Sequence, residues 1–384
     1  AFPPSVPPGH ADSGVERLSR AVRSMTISAH LHEEEIRDAF RDFLDYVIAA
    51  YPRLASRAAI DRDDPWRLVY ELPGTDPVLS PVLLPAHYDV VPVEHATAGE
   101  WTHEPFGGEV DGGYVWGRGS LDDKCVMMAI LEAAERTLER GAELRRGLVL
   151  AFGGDEELSG REGAARIASS MRDRAMRFHF ALDEGAVIAS GMLPGVSTPV
   201  ALVGIAEKGH VNIELVVTTA GGHAAMPPRH TALGRLASAI ARLESRPFPL
   251  RLGYTLREFF RAISGHVRFP LRVLFSAPRL FAPLLARALA STPTTAALVR
   301  TTQAVTVAHA SDAPNVLPQR ACAVVNVRIL PGSSVEEVLG RYRRVLSRHH
   351  VEARVHDAED AHEPVEPSAL DHPGYRIVTE SLAG

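Results

Sequence analysis

Four apolar stretches in the first half of the chain are each bordered by a histidine or by acidic residues. Three of them have the pattern of buried strands, and one has the helical spacing of apolar residues. They are 82–85 before His87 and Asp89, 124–138 after Asp122 and Asp123, 148–152 before Glu156 and Glu157, and 178–182 before Asp183 and Glu184. Strands of an open α/β sheet place their carboxyl ends along one edge, where binding sites form. The pattern therefore predicts an α/β fold in which these polar side chains converge.

The second half of the chain has the periodicity of a smaller domain. Strand patterns at 211–219, 304–309, 321–329 and 351–355 and helix patterns at 231–243 and 335–346 follow one another in the order β-α-β-β-α-β. The predicted organisation is a first catalytic segment at 1–206, an inserted α+β lid or dimerisation domain at 207–357, and the start of a returning catalytic segment at 358–384.

Each polar motif is weak evidence by itself. A His-x-Asp pair at a strand end is usually two solvated residues, an aspartate before a helix is usually a cap, and two adjacent glutamates usually form a solvated acidic loop. The segment from Gly117 to Lys124 could also be a phosphate-binding loop. It lacks the Walker spacing, however, and places carboxylates where an anion would bind.

Taken together, the motifs predict a metal centre. Residues two apart on an extended segment point to the same side, so His87 can bind a metal while Asp89 steadies the ring. Adjacent acids repel unless a cation lies beside them, and beside a metal one of Glu156 and Glu157 can bind it while the other accepts a proton from the attacking water. One imidazole with several carboxylates suits zinc, with manganese or cobalt as alternatives. Two metals that share one carboxylate would explain so many acids.

Bulk properties narrow the class of protein. The chain has 384 residues, enough for two domains, and its net charge of −6 gives no basic surface for nucleic acid. Only two cysteines, Cys125 and Cys322, are present, which argues against a disulfide framework. We expect a cytoplasmic location, or a secreted or periplasmic one if a signal segment was removed.

The motifs as a set resemble those of a known family, the dizinc aminoacylases and carboxypeptidases of peptidase family M20. The matching segments are AHYDVVPV, WTHEPFGGEVDGGYVWGRGSLDDK, GGDEELSG, LDEG, GGHAAMPP, NVLP and VNVRILPG. GRGSLDDK and the apolar insert near 255–300 are most similar to the branch of carboxypeptidase S and the N-fatty-acyl-amino-acid synthase/hydrolases. The resemblance implies a catalytic α/β domain with a mostly parallel sheet flanked by helices, an inserted lid domain, two metal ions and amide hydrolysis.

The resemblance also implies roles for individual positions near the metals. Asp89 would orient a metal-binding histidine, and Glu156 would be the general base. Four positions match the family's metal ligands, with the second of them bridging both ions: His87, Asp122, Glu157 and Asp183.

Three positions of the second half match residues that contact the substrate in this family. His223 would stabilise the tetrahedral oxyanion, often from the partner subunit of a homodimer. Asn315 and Arg328 would hold the free carboxylate of a small peptide or N-acyl amino acid, a task that suits the planar fork of arginine.

One element of the family pattern has no counterpart. The last metal ligand of the family is a histidine near the C-terminus, and no matching segment precedes Gly384; His349, His350 and His362 stand in the wrong context. The resemblance therefore predicts a chain that lacks its final catalytic elements.

Two other functions stay open. One is a dimetal phosphoesterase, which would leave the carboxylate-binding positions without a purpose. The other is an inactive relative that acts only as a binding module.

The chain is unusually apolar between Phe259 and Leu298. Arginines and prolines interrupt the run of about 20 apolar residues that a membrane span needs. We favour helices that pack on the small domain or at a dimer interface, and the alternative is an apolar wall for a long acyl chain.

Overall fold

The structure, a computed structural model, describes residues 8–185, 187–191, 196 and 198–383. The chain divides into two compact units, Ala1–Gly185 and Ala186–Gly384. Among the described residues, the helices are all too short or too polar to cross a lipid bilayer.

The first unit is an α/β unit. Its helices are α1 (Pro8–Val22), α2 (Glu34–Ala50), α3 (Pro52–Arg57), α4 (Lys124–Glu139) and α5 (Ala164–Asp173). Its strands are β1 (Ala59–Asp63), β2 (Arg67–Leu72), β3 (Val82–His87), β4 (Glu109–Asp111), β5 (Tyr114–Trp116) and β6 (Leu148–Gly153). The polar residues predicted to converge follow β3 and β6 and precede α4.

The main sheet of this unit has the order β1-β2-β6-β3. The expectation of a mostly parallel sheet needs correction, because β1 with β2 and β2 with β6 are antiparallel and only β3 with β6 is parallel in this four-stranded sheet. The connection between β1 and β2 is too short for the crossover that parallel strands require. The site forms at the parallel side of the sheet.

The larger of two hydrophobic cores in the described part of the first unit holds α1 to α4 on this sheet, while α5 packs in the smaller one. Apolar residues of α2 recur at helical spacing, and Phe40 and Phe43 are buried against the ring of Tyr88. Met127 and Leu131 bring one face of α4 into the same core. Tyr88 lies between His87 and Asp89, so the core fixes the backbone from which both site residues project.

The second unit contains the predicted β-α-β-β-α-β order. Its strands are β7 (Ile188–Ala189), β8 (Val200–Ala201), β9 (Gly209–Thr218), β10 (Gly222–His223), β11 (Thr302–His309), β12 (Val316–Leu317), β13 (Arg320–Ile329) and β14 (Glu352–Val355). Its helices are α6 (Ala232–Glu244), α7 (Tyr254–Ile263), α8 (Leu271–Ser276), α9 (Ala282–Leu289), α10 (Pro293–Val299), α11 (Val335–Leu346) and α12 (Pro373–Ala383). The α/β class with a smaller α+β lid is thereby confirmed.

The lid sheet is antiparallel, with the order β11-β13-β9-β14. Side chains that alternate along β9 and β13 form an apolar core with α6 and α11 on one face. On the other face the Asn326 amide donates to His210 Nε2 (2.8 Å) and to Asn212 Oδ1 (3.0 Å), and Asn212 donates to Asp360 Oδ2 (3.1 Å). The segment that contains Asp360 is therefore tied to this unit, and the predicted domain boundaries at 207 and 357 stay predictions.

Candidate active site

Three chain segments end along one edge of the sheet in the first unit. β3 and β6 run parallel, and their last residues, His87 and Gly153, are paired. Segment 178–182 lies along the opposite side of β3, where two backbone hydrogen bonds connect it to Leu83. The polar residues that follow each segment therefore come together at the carboxyl end of the sheet, where α/β proteins form their sites.

Asp89 joins two of these segments and is fully buried. Its Oδ1 accepts the backbone N–H of Glu156 and its Oδ2 accepts the backbone N–H of Glu157, both at 3.1 Å. The same carboxylate lies 3.3 Å from His87 Nδ1, which is also 3.1 Å from the Asp89 carbonyl oxygen. One aspartate thus fixes the imidazole ring and the start of the turn that contains Glu156 and Glu157, here called the acidic turn.

The two glycines before the acidic turn allow a close approach of the backbone. A Cβ on Gly154 would lie 2.2 Å from the carbonyl oxygen of Pro65 and 2.8 Å from the Tyr88 ring. Neither neighbour can retreat easily, since the Tyr88 hydroxyl also donates to the same carbonyl (2.8 Å). A glycine is therefore required at 154 for the turn to reach Asp89.

The second nitrogen of His87 faces acidic side chains. Nε2 lies 2.9 Å from Asp122 Oδ1, 3.7 Å from Glu184 Oε1 and 4.0 Å from Glu156 Oε2. Because Nδ1 is held by Asp89, only Nε2 can bind a metal, which is the usual division of tasks in a metal-binding histidine.

Two groups of side chains in the described residues have the spacing of metal ligands, and both are built on His87. One combines it with Glu156 and Glu157 and the other with Asp122 and Glu184, and the ligand atoms of each group lie within 4.8 Å of one another. A single imidazole nitrogen can bind only one ion, so each group by itself is a ligand set for one divalent ion, and its imidazole and carboxylate donors suit such an ion.

The predicted ligands are thus brought together with one difference. Three of them, His87, Asp122 and Glu157, belong to these groups, whereas Asp183 does not. Asp183 Oδ1 instead accepts the N–H of Glu184 (2.9 Å), and Glu184 takes its place in the group. Sequence reasoning assigned no role to Glu184, although its position directly after the predicted ligand in the motif LDEG was a signal.

The site carries an excess of negative charge that shifts the pKa of its carboxyl groups. Burial raises the pKa of Glu156, Glu157 and Glu184, and neighbouring carboxylates raise each of them further. His87 acts in the opposite direction on all three. A divalent cation among these groups would relieve the repulsion.

His87 shows the complementary shift. Burial alone would lower its pKa, but the hydrogen bond and charge of Asp89, together with Glu184 and Asp122, raise the pKa to about 10. The surrounding carboxylates therefore favour positive charge at this position, which is also what a divalent metal ion would supply.

Asp123 and Lys124, which follow Asp122 in the chain, are buried and bind backbone groups of other segments. The buried Asp123 carboxylate accepts the N–H of His87 (3.3 Å), and burial raises its pKa to about 7. Lys124 is fully buried, and its Nζ donates to the carbonyl oxygens of Ala21 (3.0 Å) and Ser24 (2.7 Å) at the end of α1. Burial lowers the pKa of Lys124 to about 7. Sequence reasoning gave neither residue a separate role.

The substrate-binding residues predicted from the resemblance all lie in the second unit. His223 forms β10, which pairs with β12 at Val316, and its Nδ1 accepts the N–H of Ala225 (3.1 Å). The carbonyl oxygen of Asn315 accepts the N–H of Ala224 (3.0 Å). His223 and Asn315 therefore lie on adjoining segments, with the imidazole exposed.

Arg328 lies on β13, between His210 of β9 and Thr302 of β11. Its side chain is exposed, and its charge contributes to the lowered pKa of Lys208, for which burial is the larger cause. Among the described residues no carboxylate forms an ion pair with this guanidinium.

Comparison with known proteins identifies the family. Residues 83–383 match peptidase family M20/M25/M40. The chain belongs to this family. It is 37% identical over 371 residues to the N-fatty-acyl-amino acid synthase/hydrolase PM20D1 of Xenopus tropicalis, a match that covers 96% of this chain and 71% of that protein. It is 36% identical over 371 residues to the probable carboxypeptidase S-like 2 of Dictyostelium discoideum, with 96% and 70% covered.

A solved structure gives the same fold. The M20 family metallo-carboxypeptidase Sso-CP2 from Sulfolobus solfataricus superposes with a TM-score of 0.63 over 96% of this chain and 82% of that one, at 21% identity. As a family member the chain is a metal-dependent amide hydrolase, as the sequence motifs predicted. Nothing in these comparisons supports the phosphoesterase or the inactive binding module.

Proposed function

We propose that this enzyme hydrolyses the amide bond of small peptides or N-acyl amino acids whose amino-acid half has a free carboxylate. The observation that carries the proposal is the cluster of His87 with Asp122, Glu156, Glu157 and Glu184 at the end of the parallel strands. Its relatives named as an N-fatty-acyl-amino acid synthase/hydrolase and as a carboxypeptidase S-like protein support this substrate class. Both kinds of substrate present an amide beside a carboxylate.

The same cluster supports a pair of zinc ions as the cofactor, with manganese or cobalt as alternatives. The proposed ligands are His87, Asp122 as the bridge, Glu157 and Asp183, and the position of Glu184 makes it a competitor for the last role. When bound, such ions polarise the scissile carbonyl and lower the pKa of the attacking water.

Glu156 is the proposed general base. Its backbone is fixed by Asp89, while its side chain is half-exposed beside the ligand groups and has a raised pKa. A raised pKa brings a glutamate closer to the range in which it can both accept and return a proton. Glu156 therefore takes a proton from the attacking water and later delivers it to the leaving amine.

Residues of the second unit are proposed to bind the substrate. The exposed imidazole of His223 stabilises the oxyanion that develops on the carbonyl. Asn315 and Arg328 hold the free carboxylate. In the described part of the chain no carboxylate pairs with the exposed guanidinium of Arg328, which supports this role.

We also propose a homodimer. β11 is an edge strand of the lid sheet, and most of its eight residues are exposed. An exposed edge of this length is a template for pairing with another strand. Light scattering of the purified protein measures the mass of the assembly directly. Thr306→Pro should lower this mass towards that of a monomer, because proline removes a backbone N–H from the edge strand β11.

The test of the proposed function combines turnover with metal content. Glu156→Gln should abolish hydrolysis of an N-acyl amino acid while metal content by elemental analysis stays near that of the wild type. Glu143→Gln, on an exposed loop, is the matched control. A substrate whose carboxylate is replaced by an amide should be turned over poorly by the wild type. Equal turnover of the substrate with a free carboxylate and of its amide would contradict the proposed substrate class. Turnover by the Glu156→Gln variant would contradict the assignment of Glu156 as the general base.

A further inference from the structure

The segment from Arg251 to Arg300, here called the insert, differs in charge from the rest of the chain. It contains eight arginines and one acidic residue, Glu258, although the whole chain has 47 acidic residues and a net charge of −6. The insert therefore carries a charge of +7 on a protein that is otherwise acidic. It comprises α7 to α10, between α6 and β11.

Most of this charge is unpaired. The single acid, Glu258, forms an ion pair with Arg261. Among the described residues no other arginine of the insert has a carboxylate partner. Five of these arginines are exposed: Arg251, Arg268, Arg272, Arg279 and Arg287. The insert thus presents free guanidinium groups to the surroundings.

Large apolar side chains are exposed directly beside these arginines. Phe269 and Val273 border the first turn of α8 and are 82% and 48% exposed. Leu280 and Leu284 border the first turn of α9 and are 76% and 55% exposed. In each pair the first residue lies two positions before the helix and the second lies in its first turn. Exposed apolar side chains and exposed arginines are therefore interspersed along residues 268–287.

The exposed apolar residues are not needed for the insert's own packing. A separate core of buried side chains, which includes Phe260, Ile263, Leu285 and Val299, joins the helices. Within it the Phe260 and Phe275 rings are 4.6 Å apart. None of the four exposed side chains belongs to this core, so they are available for an external partner.

We propose that the insert docks on an anionic lipid surface. Arginine guanidinium groups pair with lipid phosphates while neighbouring aromatic and aliphatic side chains enter the boundary of the acyl chains, which is how basic amphipathic segments bind membranes. A second copy of the chain fits less well, because two inserts of charge +7 repel each other. A nucleic acid would use the charge but not the exposed aliphatic side chains. The inference does not rest on the proposed catalytic function.

Vesicle co-sedimentation tests this proposal. The wild-type protein should sediment with phosphatidylcholine vesicles that contain about one third phosphatidylglycerol and not with phosphatidylcholine alone. Binding should weaken as salt is raised, because the Debye length shortens. Arg272→Gln with Arg279→Gln should weaken binding about 30-fold, since each arginine near such a surface contributes about one factor of five. Phe269→Ser with Leu280→Ser should weaken it at least tenfold.

Matched controls lie in the first unit. Val78→Ser removes an apolar side chain that is 88% exposed, and Arg172→Gln removes an exposed arginine. Both should bind vesicles like the wild type, and unchanged melting curves for all variants would show that folding is intact. Absence of sedimentation with anionic vesicles at low salt would overturn the proposal, as would equal binding to neutral vesicles. A change of oligomeric state in the insert variants without a change in vesicle binding would assign the surface to self-association instead.

Discussion

Replacing Asp89 by asparagine tests the arrangement on which the site depends. The two carboxylate oxygens of Asp89 each accept a backbone N–H, one from Glu156 and one from Glu157, and the carboxylate also lies beside His87 Nδ1. An asparagine has the same shape but only one acceptor oxygen. Whichever way its amide is turned, one buried N–H faces an NH₂ group. The substitution therefore disturbs either the ring of His87 or the acidic turn.

The magnitude follows from the contacts that are lost. A buried N–H without a partner costs about 1–3 kcal/mol of folding free energy. For a unit of this size, each kcal/mol lowers the midpoint of thermal unfolding by about 2–4 °C. Loss of the group that orients a metal-binding histidine typically weakens metal affinity about 10- to 100-fold. Both effects should appear together in Asp89→Asn, because one side chain causes both.

Zinc binding by competition with a chelator and unfolding by calorimetry measure the two effects. Asp111→Asn is the matched control, since this aspartate is exposed in the β4–β5 hairpin, and it should change neither quantity. A Kd for zinc within threefold of the wild type in Asp89→Asn, with an unchanged melting temperature, would refute the reasoning. A lower melting temperature with normal zinc affinity would leave Asp89 a structural residue only.

Three further predictions concern single side chains. Asp183→Asn should lower metal content more than Glu184→Gln because of the family resemblance, and the reverse result would transfer the ligand role to Glu184. Arg328→Lys should reduce kcat/KM for N-acyl amino acids roughly 10- to 150-fold, mainly through KM, because about 1.5–3 kcal/mol of charged hydrogen bonding is lost; an unchanged KM would exclude a carboxylate contact. Burial lowers the pKa of Lys208 to about 8, so the unfolded chain binds more protons than the folded chain between about pH 8 and 10.5, and the free energy of unfolding rises with pH across that window. Melting temperatures measured over this pH range should lack the rise in Lys208→Met. The same slope in the variant and the wild type would contradict the shifted pKa.

Much of the fold and of the site could be predicted from local patterns in the sequence. Strands were recognised by short apolar runs, and the polar residues after them marked the ends that meet at a site. The lid was predicted because its alternating strands and its helices at 231–243 and 335–346 follow regular periods. Such patterns report which face of an element is buried. The mixed pairing of the main sheet was not predicted, because pairing depends on contacts between segments distant in the chain.

The residues that sequence reasoning missed have roles that only tertiary contacts create. Lys124 follows two aspartates and has the sequence context of a solvated helix start, yet its ammonium group is buried against two carbonyl oxygens of the α1 end. Asp123 has the sequence of a helix cap and instead accepts a hydrogen bond from the backbone of His87. In both cases the partner lies more than thirty residues away along the chain, which no local pattern reveals.

The pKa values of the glutamates and of His87 are all raised, and neighbouring carboxylates contribute to each of these shifts, which explains why this arrangement is suited to a cation. Burial and then neighbouring carboxylates raise the pKa of Glu156 and Glu184, while carboxylates, Asp89 above all, overcome the lowering by burial and raise the pKa of His87 to about 10. A proton on Nε2 and a divalent ion therefore compete for the same negative field. A divalent ion has twice the charge of a proton and can contact several carboxylates at once, but His87 must lose its proton to bind the ion, so the apparent metal affinity should fall as the pH is lowered below the pKa of His87. The groups that bind the metal thus also set the pH range in which it is bound.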